Sequence, residues 1–103
     1  MRQFDVFDNP DRELADLMPY VVVLNHDAFS DVPTVLVAPL FPAERRIPYR
    51  ELCPAVDVLG ARMLVGLTDL ASIAQRHLGP PVASVRAEHD RILRAFDLLL
   101  CGF

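Results

Sequence analysis

Tyr20-Val21-Val22-Val23-Leu24, followed after a polar stretch by Thr34-Val35-Leu36-Val37-Ala38, decides the fold. Both are unbroken runs rich in β-branched residues, and such runs read as strands buried in one sheet rather than as half-exposed edges. The intervening Asn25 to Pro33 is rich in Asp, Asn and Ser, so the two are expected to be neighbouring strands joined by a loop. Upstream, Gln3 to Phe7 alternates, with Phe4 and Val6 on one side and Phe7 on the other, before the turn residues Asp8-Asn9-Pro10-Asp11. Downstream, Ala55 to Leu59 and Arg62 to Thr68 flank Gly60-Ala61 as a hairpin, while Asp69 to Ile73 is ambiguous between a strand and a helical turn.

Nine prolines run through the first four-fifths of the chain and exclude a helical bundle. Only the tail beyond Pro81 is free of them. There Val85, His89, Ile92, Phe96, Leu99 and Phe103 recur at three- and four-residue steps, widened by Leu93 and Leu100, which predicts an amphipathic helix from Arg86 to Cys101. Asp90 and Arg94 form an acid-before-base pair on its polar face, and Gly102 is the stop signal. The expected architecture is mainly β with a C-terminal helix, a twisted antiparallel sheet closing toward an SH3-like barrel, in a single domain over residues 1–103.

Composition narrows the chemistry. The 103 residues carry ten arginines and no lysine, which removes Schiff-base and Walker-type lysine chemistry. A net charge of −4 gives no footprint for a phosphate backbone, so nucleic acid is not expected as a direct partner. Neither a signal-peptide segment nor a membrane span is evident, and a cytoplasmic protein with no membrane partner is expected. Cys53 and Cys101 lie in no metal-binding spacing and read as free thiols.

No catalytic constellation stands out. His26, His77 and His89 are scattered, and His89, within the apolar stripe, reads as a core or boundary residue rather than a ligand. Ser30, Ser72 and Ser84 fit no nucleophile motif, and Asp57 with Asp69 reads as solvated surface rather than a catalytic pair. No metal, no cofactor and no enzymatic activity are expected.

The segments Glu51-Leu52-Cys53-Pro54-Ala55-Val56, Leu67-Thr68-Asp69-Leu70-Ala71-Ser72-Ile73 and Ala95-Phe96-Asp97-Leu98-Leu99-Leu100-Cys101-Gly102-Phe103 occur in that order. With Gln3-Phe4-Asp5-Val6-Phe7 and Val35-Leu36-Val37-Ala38-Pro39-Leu40, the set resembles the CcdB family of toxins from bacterial toxin–antitoxin pairs along nearly the whole chain. The resemblance implies a homodimer of SH3-like barrel subunits with their helices near the dimer axis. It also implies a plasmid-maintenance toxin that poisons DNA gyrase by binding the gyrase A subunit and is neutralised by a CcdA-like antitoxin. Carried over residue by residue, the gyrase-binding set is Cys101, Gly102 and Phe103 at the terminus, where Cys101 stands in place of the family's tryptophan, with His89, Asp90, Arg94 and Asp97 on the helix. No residue is assigned to the antitoxin.

A second resemblance is to the MazF-like endoribonucleases, which share the fold and are similar at Asn25-His26-Asp27-Ala28-Phe29, Pro33-Thr34-Val35 and Ala38-Pro39-Leu40. That family implies an arginine just before the strand at Tyr20 and a serine or threonine after Pro-Leu, where this chain has Met18-Pro19 and Phe41. With both groups replaced and a low pI, no ribonuclease activity is expected. A relic of the fold without toxicity is the third reading.

Overall fold

The computed structural model describes residues 1–45 and 49–102. The strands are β1 Asp5–Asp8, β2 Tyr20–Val23, β3 Thr34–Pro42, β4 Ala55–Val58, β5 Ala61–Val65, β6 Ala71–Ala74 and β7 Ala83–Ser84, and the helix α1 is His89–Cys101. They form one antiparallel sheet in the order β4-β5-β3-β2-β1-β7, with β6 also on β3, which curls into a nearly closed barrel with the helix packed on it. This is the mainly β architecture with a C-terminal helix that the sequence predicts.

β2 and β3 pair in the register Val21↔Pro39 and Val23↔Val37, and their unbroken apolar runs follow from burial of both sheet faces. On one face Val22, Ala38 and Leu40 join Phe4, Val6, Val56, Met63 and Val65 beneath Ile92 and Ala95 of α1. On the other, Phe7, Val21, Val23, Val35 and Val37 make a second, smaller core covered by Ile73 and Leu78.

β3 runs past the boundary expected at Ala38. A proline inside a strand lacks one ladder donor, yet Pro39 sits where β3 changes partner, from β6 along Thr34–Val37 to β5 along Leu40–Pro42. Its carbonyl accepts from the Gly66 amide at 2.8 Å, so the switch is bridged from the connection that follows β5.

Other boundaries shift for local reasons. β1 begins at Asp5 rather than Gln3 because Phe4 adopts φ 68, a left-handed conformation that breaks the extended chain while its ring stays in the main core. The β4–β5 hairpin turns on Leu59 and Gly60, both at positive φ, rather than on Gly60-Ala61. The ambiguous segment resolves into a 3₁₀ turn, Leu67–Asp69, and then β6.

The predicted helix begins as a 3₁₀ turn, Arg86–Glu88, becomes α-helical at His89, and ends at Gly102 with φ 80. Its inward face is Ile92, Ala95, Phe96 and Leu99, whereas Leu93 and Leu100 point outward and are exposed. The expected Asp90–Arg94 pair does not form: His89 Nε2 lies 3.1 Å from Asp90 Oδ1, and Arg91 pairs with Glu88. His89 itself is half exposed, its ring centroid 6.3 Å from that of Phe4, and so is a boundary residue.

The helix entry is tied to the N-terminus through Asp27. Its carboxylate accepts from the Gln3 amide at 2.7 Å and from Arg86 at 3.3 Å, with Arg2 at 3.7 Å. The Gln3 amide, then the Arg86 and Arg2 guanidinium groups, hold the Asp27 pKa below its ordinary value. A carboxylate with a depressed folded-state pKa adds stability that is present above the unfolded value and is lost as pH falls through the folded one.

Ile92→Ala removes a side chain that is 1% exposed and is expected to cost about 2–5 kcal/mol. Leu100→Ala, at a position 66% exposed, is expected to stay within about 0.5 kcal/mol; equal shifts of the denaturant midpoint would contradict this helix orientation. Lowering the pH below the ordinary carboxylate value of 3.8 is expected to destabilise the native protein more steeply than its Asp27→Asn variant. Identical pH profiles would show that the clamp contributes nothing.

Candidate active site

The second core does not fill its face of the sheet. Beside it lies an open groove of about 1580 Å³. Val21, Val37, Pro39 and Phe41 form its floor, from β2 and β3. One wall is the β1–β2 connection, with Asp8, Asn9, Asp11, Arg12 and Met18; the other is the segment from Thr68 through β6 to Gly79, with Asp69, Ser72 and His77.

Both walls are held by side chains that spend their hydrogen bonds on the backbone. Asn9, buried at 7% exposure, donates from Nδ2 to the Met18 carbonyl at 2.8 Å and accepts the Asp11 amide at 2.9 Å, closing the loop across its ends. An Asn-to-backbone clasp of this kind takes the place of a ladder where no strand can run. On the other wall, Gln75 donates from Nε2 to the carbonyls of Ser30 at 2.7 Å and Val32 at 3.2 Å, and its amide reaches Pro33. The 3₁₀ turn Gln75–His77 is thereby locked beside Leu78 of the second core.

Gly66 sets how closely the second wall approaches the floor. A Cβ there would lie 2.5 Å from Phe41 Cε2 and 3.2 Å from Pro39 Cγ, so glycine is required by contact. The Phe41 ring is held between this connection and the guanidinium of Arg45, whose Cζ is 6.0 Å from the ring centroid.

The groove's polar groups have unequal commitments. The Asp11 carboxylate accepts from the Glu13 amide at 3.0 Å, and Asp69 accepts from the Thr68 hydroxyl at 3.3 Å. Arg12 and His77 are exposed, and among the described residues neither makes a hydrogen bond or an ion pair. The groove thus offers one imidazole, one guanidinium, two hydroxyls and three carboxylates over an apolar floor. Among the described residues no three His, Cys, Asp or Glu side chains gather as metal ligands would.

The residues singled out in the sequence are distributed differently. His89, Asp90, Arg94 and Asp97 lie exposed on α1, as do Cys101 and Gly102 at its end, outside the groove; Phe103 lies outside the described residues. His26 caps the 3₁₀ turn Asp27–Phe29, its Nδ1 accepting from the Ala28 amide at 3.0 Å. Asp57 pairs on the surface with Arg62 at 3.6 Å, and of the Asp57 and Asp69 candidates only Asp69 reaches the groove. Cys53 is buried, and burial pushes its thiol pKa up, which suits packing rather than nucleophilic chemistry. Met18 and Phe41, where the MazF-like pattern has polar groups, both line the groove. Sequence reasoning dismissed His77 as scattered and gave Arg12 no role, because no spacing links residues brought together by opposite walls.

A nearly closed antiparallel β barrel with one C-terminal helix is the fold class of the CcdB- and MazF-like toxins. The family model described as CcdB protein matches residues 3–102, and the chain belongs to that family. No curated protein sequence matches it. Among solved structures, it is similar to an endoribonuclease in complex with its cognate antitoxin from a mycobacterial species, at TM-score 0.73 and 15% identity over 97% of this chain and 94% of that one. A second mycobacterial endoribonuclease gives TM-score 0.73 at 18% identity, covering 97% and 90%. The Mycobacterium tuberculosis toxin MazF-mt6 gives 0.70 at 16% identity, covering 96% of each chain.

These neighbours correct the functional half of the sequence reading. Recognition of a CcdB-type gyrase poison, with plasmid maintenance and topoisomerase inhibition as its role, gives way to the endoribonuclease toxins that the fold follows over nearly its full length. The expectation of no enzyme is corrected with it. So is the expectation of the gyrase A subunit as partner without nucleic acid, since these neighbours are endoribonucleases, one of them solved with its cognate antitoxin. The physical reason lies in the groove: Met18, Phe41 and the net charge speak against a nuclease, while other segments furnish polar groups beside those two residues.

Gly66→Ala is expected to force the Phe41 ring toward the groove and to cost about 1–3 kcal/mol, as for an overpacked contact. The cost should shrink when Phe41 is already alanine, because the clash is then gone. A double-mutant cycle in denaturant reads this directly, and additive costs would show that Gly66 is not packed against the ring.

Proposed function

We propose that this chain is an endoribonuclease toxin of a toxin–antitoxin pair, one domain over residues 1–103, that cleaves single-stranded RNA in the groove between the β1–β2 connection and the Thr68–Gly79 segment. The observation that carries the reading is the groove itself, open on the sheet face opposite α1 and lined by Arg12, Thr68, Ser72 and His77, in a chain whose fold follows endoribonucleases over 97% of its length. RNA cleavage needs no metal when a 2′-hydroxyl is the nucleophile, and a cation, hydroxyls and an imidazole are the groups such a transfer uses. A cytoplasmic location belongs to the same proposal. Among the described residues, no helix is long and apolar enough to cross a membrane.

The charge pattern shapes how RNA would bind. Asp8, Asp11 and Asp69 outnumber Arg12 along the groove, so attraction to the backbone is weak and unpaired bases must supply the contacts, their faces on the apolar floor and their N–H edges toward the carboxylates. A duplex, which hides those edges, is a poor substrate.

One observation favours a second reading, a relic that keeps the fold without activity: Met18 and Phe41 put apolar side chains where the MazF-like pattern has an arginine and a hydroxyl.

Incubating the purified protein with long single-stranded RNA separates the two readings. Cleavage that co-purifies with the folded protein, spares duplex RNA and persists in the surface variant Arg62→Ala is expected. Because Arg12 neutralises a single phosphate, the affinity should fall with salt at a logarithmic slope of only about −0.7. Intact RNA would overturn the ribonuclease reading in favour of the relic.

A further inference from the structure

Resting on the ribonuclease reading, we propose that His77 and Arg12 are its catalytic residues, His77 as the base that takes the 2′-hydroxyl proton and Arg12 as the cation that holds the scissile phosphate. Most other candidates in the groove are committed or chemically unsuited. Asn9 is buried with both ends of its amide in use, Asp11 caps the Glu13 amide, and Asp69 is engaged by Thr68. Met18 and Phe41 can neither move a proton nor meet a charge. Asp8 and Ser72 are uncommitted, but a carboxylate repels the phosphate and a neutral hydroxyl is a poor base. His77 and Arg12 are the groove's one imidazole and one guanidinium, both exposed and, among the described residues, free of hydrogen bonds and ion pairs.

Their mounts are rigid although their side chains are free. His77 ends a 3₁₀ turn fixed by three hydrogen bonds from Gln75 to Ser30, Val32 and Pro33. Arg12 rises from the loop that Asn9 clasps, where the Leu14 amide also reaches the Asp11 carbonyl at 3.1 Å. Fixed backbones with unpaired tips are what a site needs to place groups on a ligand without first breaking internal contacts. The walls rise from the outer strands of the set β1-β2-β3-β6, three strand spacings or about 14 Å apart, which admits a single strand lying along the floor.

The step is balanced without a co-reactant. Neutral His77 accepts the proton of the 2′-hydroxyl as its oxygen bonds to phosphorus; the bond from phosphorus to the 5′-oxygen breaks, and that oxygen takes a proton from water. The imidazolium then returns its proton to solvent. The products are a 2′,3′-cyclic phosphate and a 5′-hydroxyl. Arg12 faces the non-bridging oxygens, where negative charge is greatest in the transition state.

The test compares the native protein with His77→Ala, His77→Gln, Arg12→Ala and Arg12→Lys on one single-stranded RNA, with a 2′-deoxy version of the cleaved nucleotide as a binding probe. Both positions are exposed, so all four variants should fold with unchanged denaturant midpoints. Both His77 variants should lose about 10²–10⁴ in rate while binding the probe as the native protein does. Arg12→Ala should lose about 10²-fold, and Arg12→Lys should recover part of it. Native cleavage that is undiminished in the His77 or Arg12 variants would overturn these roles and leave the ribonuclease reading standing. No cleavage by the native protein would overturn both.

Discussion

A strand with apolar side chains on both faces has to be covered twice, and β3 is such a strand. Val35 and Val37 face the small core while Ala38 and Leu40 face the large one, and β2 repeats the pattern in register. Burial at this density is the main favourable contribution to the fold, on the order of 1.5–3 kcal/mol for each large aliphatic chain. One cover is α1, an ordinary amphipathic helix. The other is partial, made by Met1, Val32, Ile73 and Leu78, and it stops short of the β1–β2 connection. The groove is the gap between the two.

That origin explains its chemistry. Connections carry the polar and turn-forming residues, so the walls bring Asp11, Arg12, Thr68, Asp69, Ser72 and His77, while the strands beneath bring an apolar floor. The partner switch of β3 at Pro39 adds a further constraint, because the amide of Gly66 must reach Pro39 and its missing side chain must clear Phe41. Fold and site are therefore coupled at a few atoms: the contact that completes the sheet around Pro39 also places one wall of the groove. Membership of the CcdB family and likeness in fold to endoribonucleases are compatible, since one fold can carry different functions.

The barrel and helix were legible in the sequence because they rest on local signals. The unbroken Val runs of β2 and β3, the glycine at the β4–β5 turn and the three- and four-residue apolar steps of α1 each report their own environment. What failed was of two kinds. Ends of elements depended on tertiary accidents, such as Pro39 falling where its missing donor is not needed and Phe4 taking positive φ to bury its ring. The proposed site rests on residues far apart in the chain, Arg12 and His77, which no motif connects. The helix positions His89, Asp90, Arg94 and Asp97 were assigned to a target through the CcdB resemblance, yet a polar face of this kind is also what a solvated helix requires.

Whether the face opposite α1 meets RNA can be read from a map of where RNA touches the protein. Amide shifts recorded while a short single-stranded RNA with a 2′-deoxy cleavage position is added would locate it. Changes at Arg12, Phe41, Ser72 and His77 with α1 unmoved are expected; changes confined to Asp90, Arg94 and Asp97 would put RNA on the helix and refute the proposed groove.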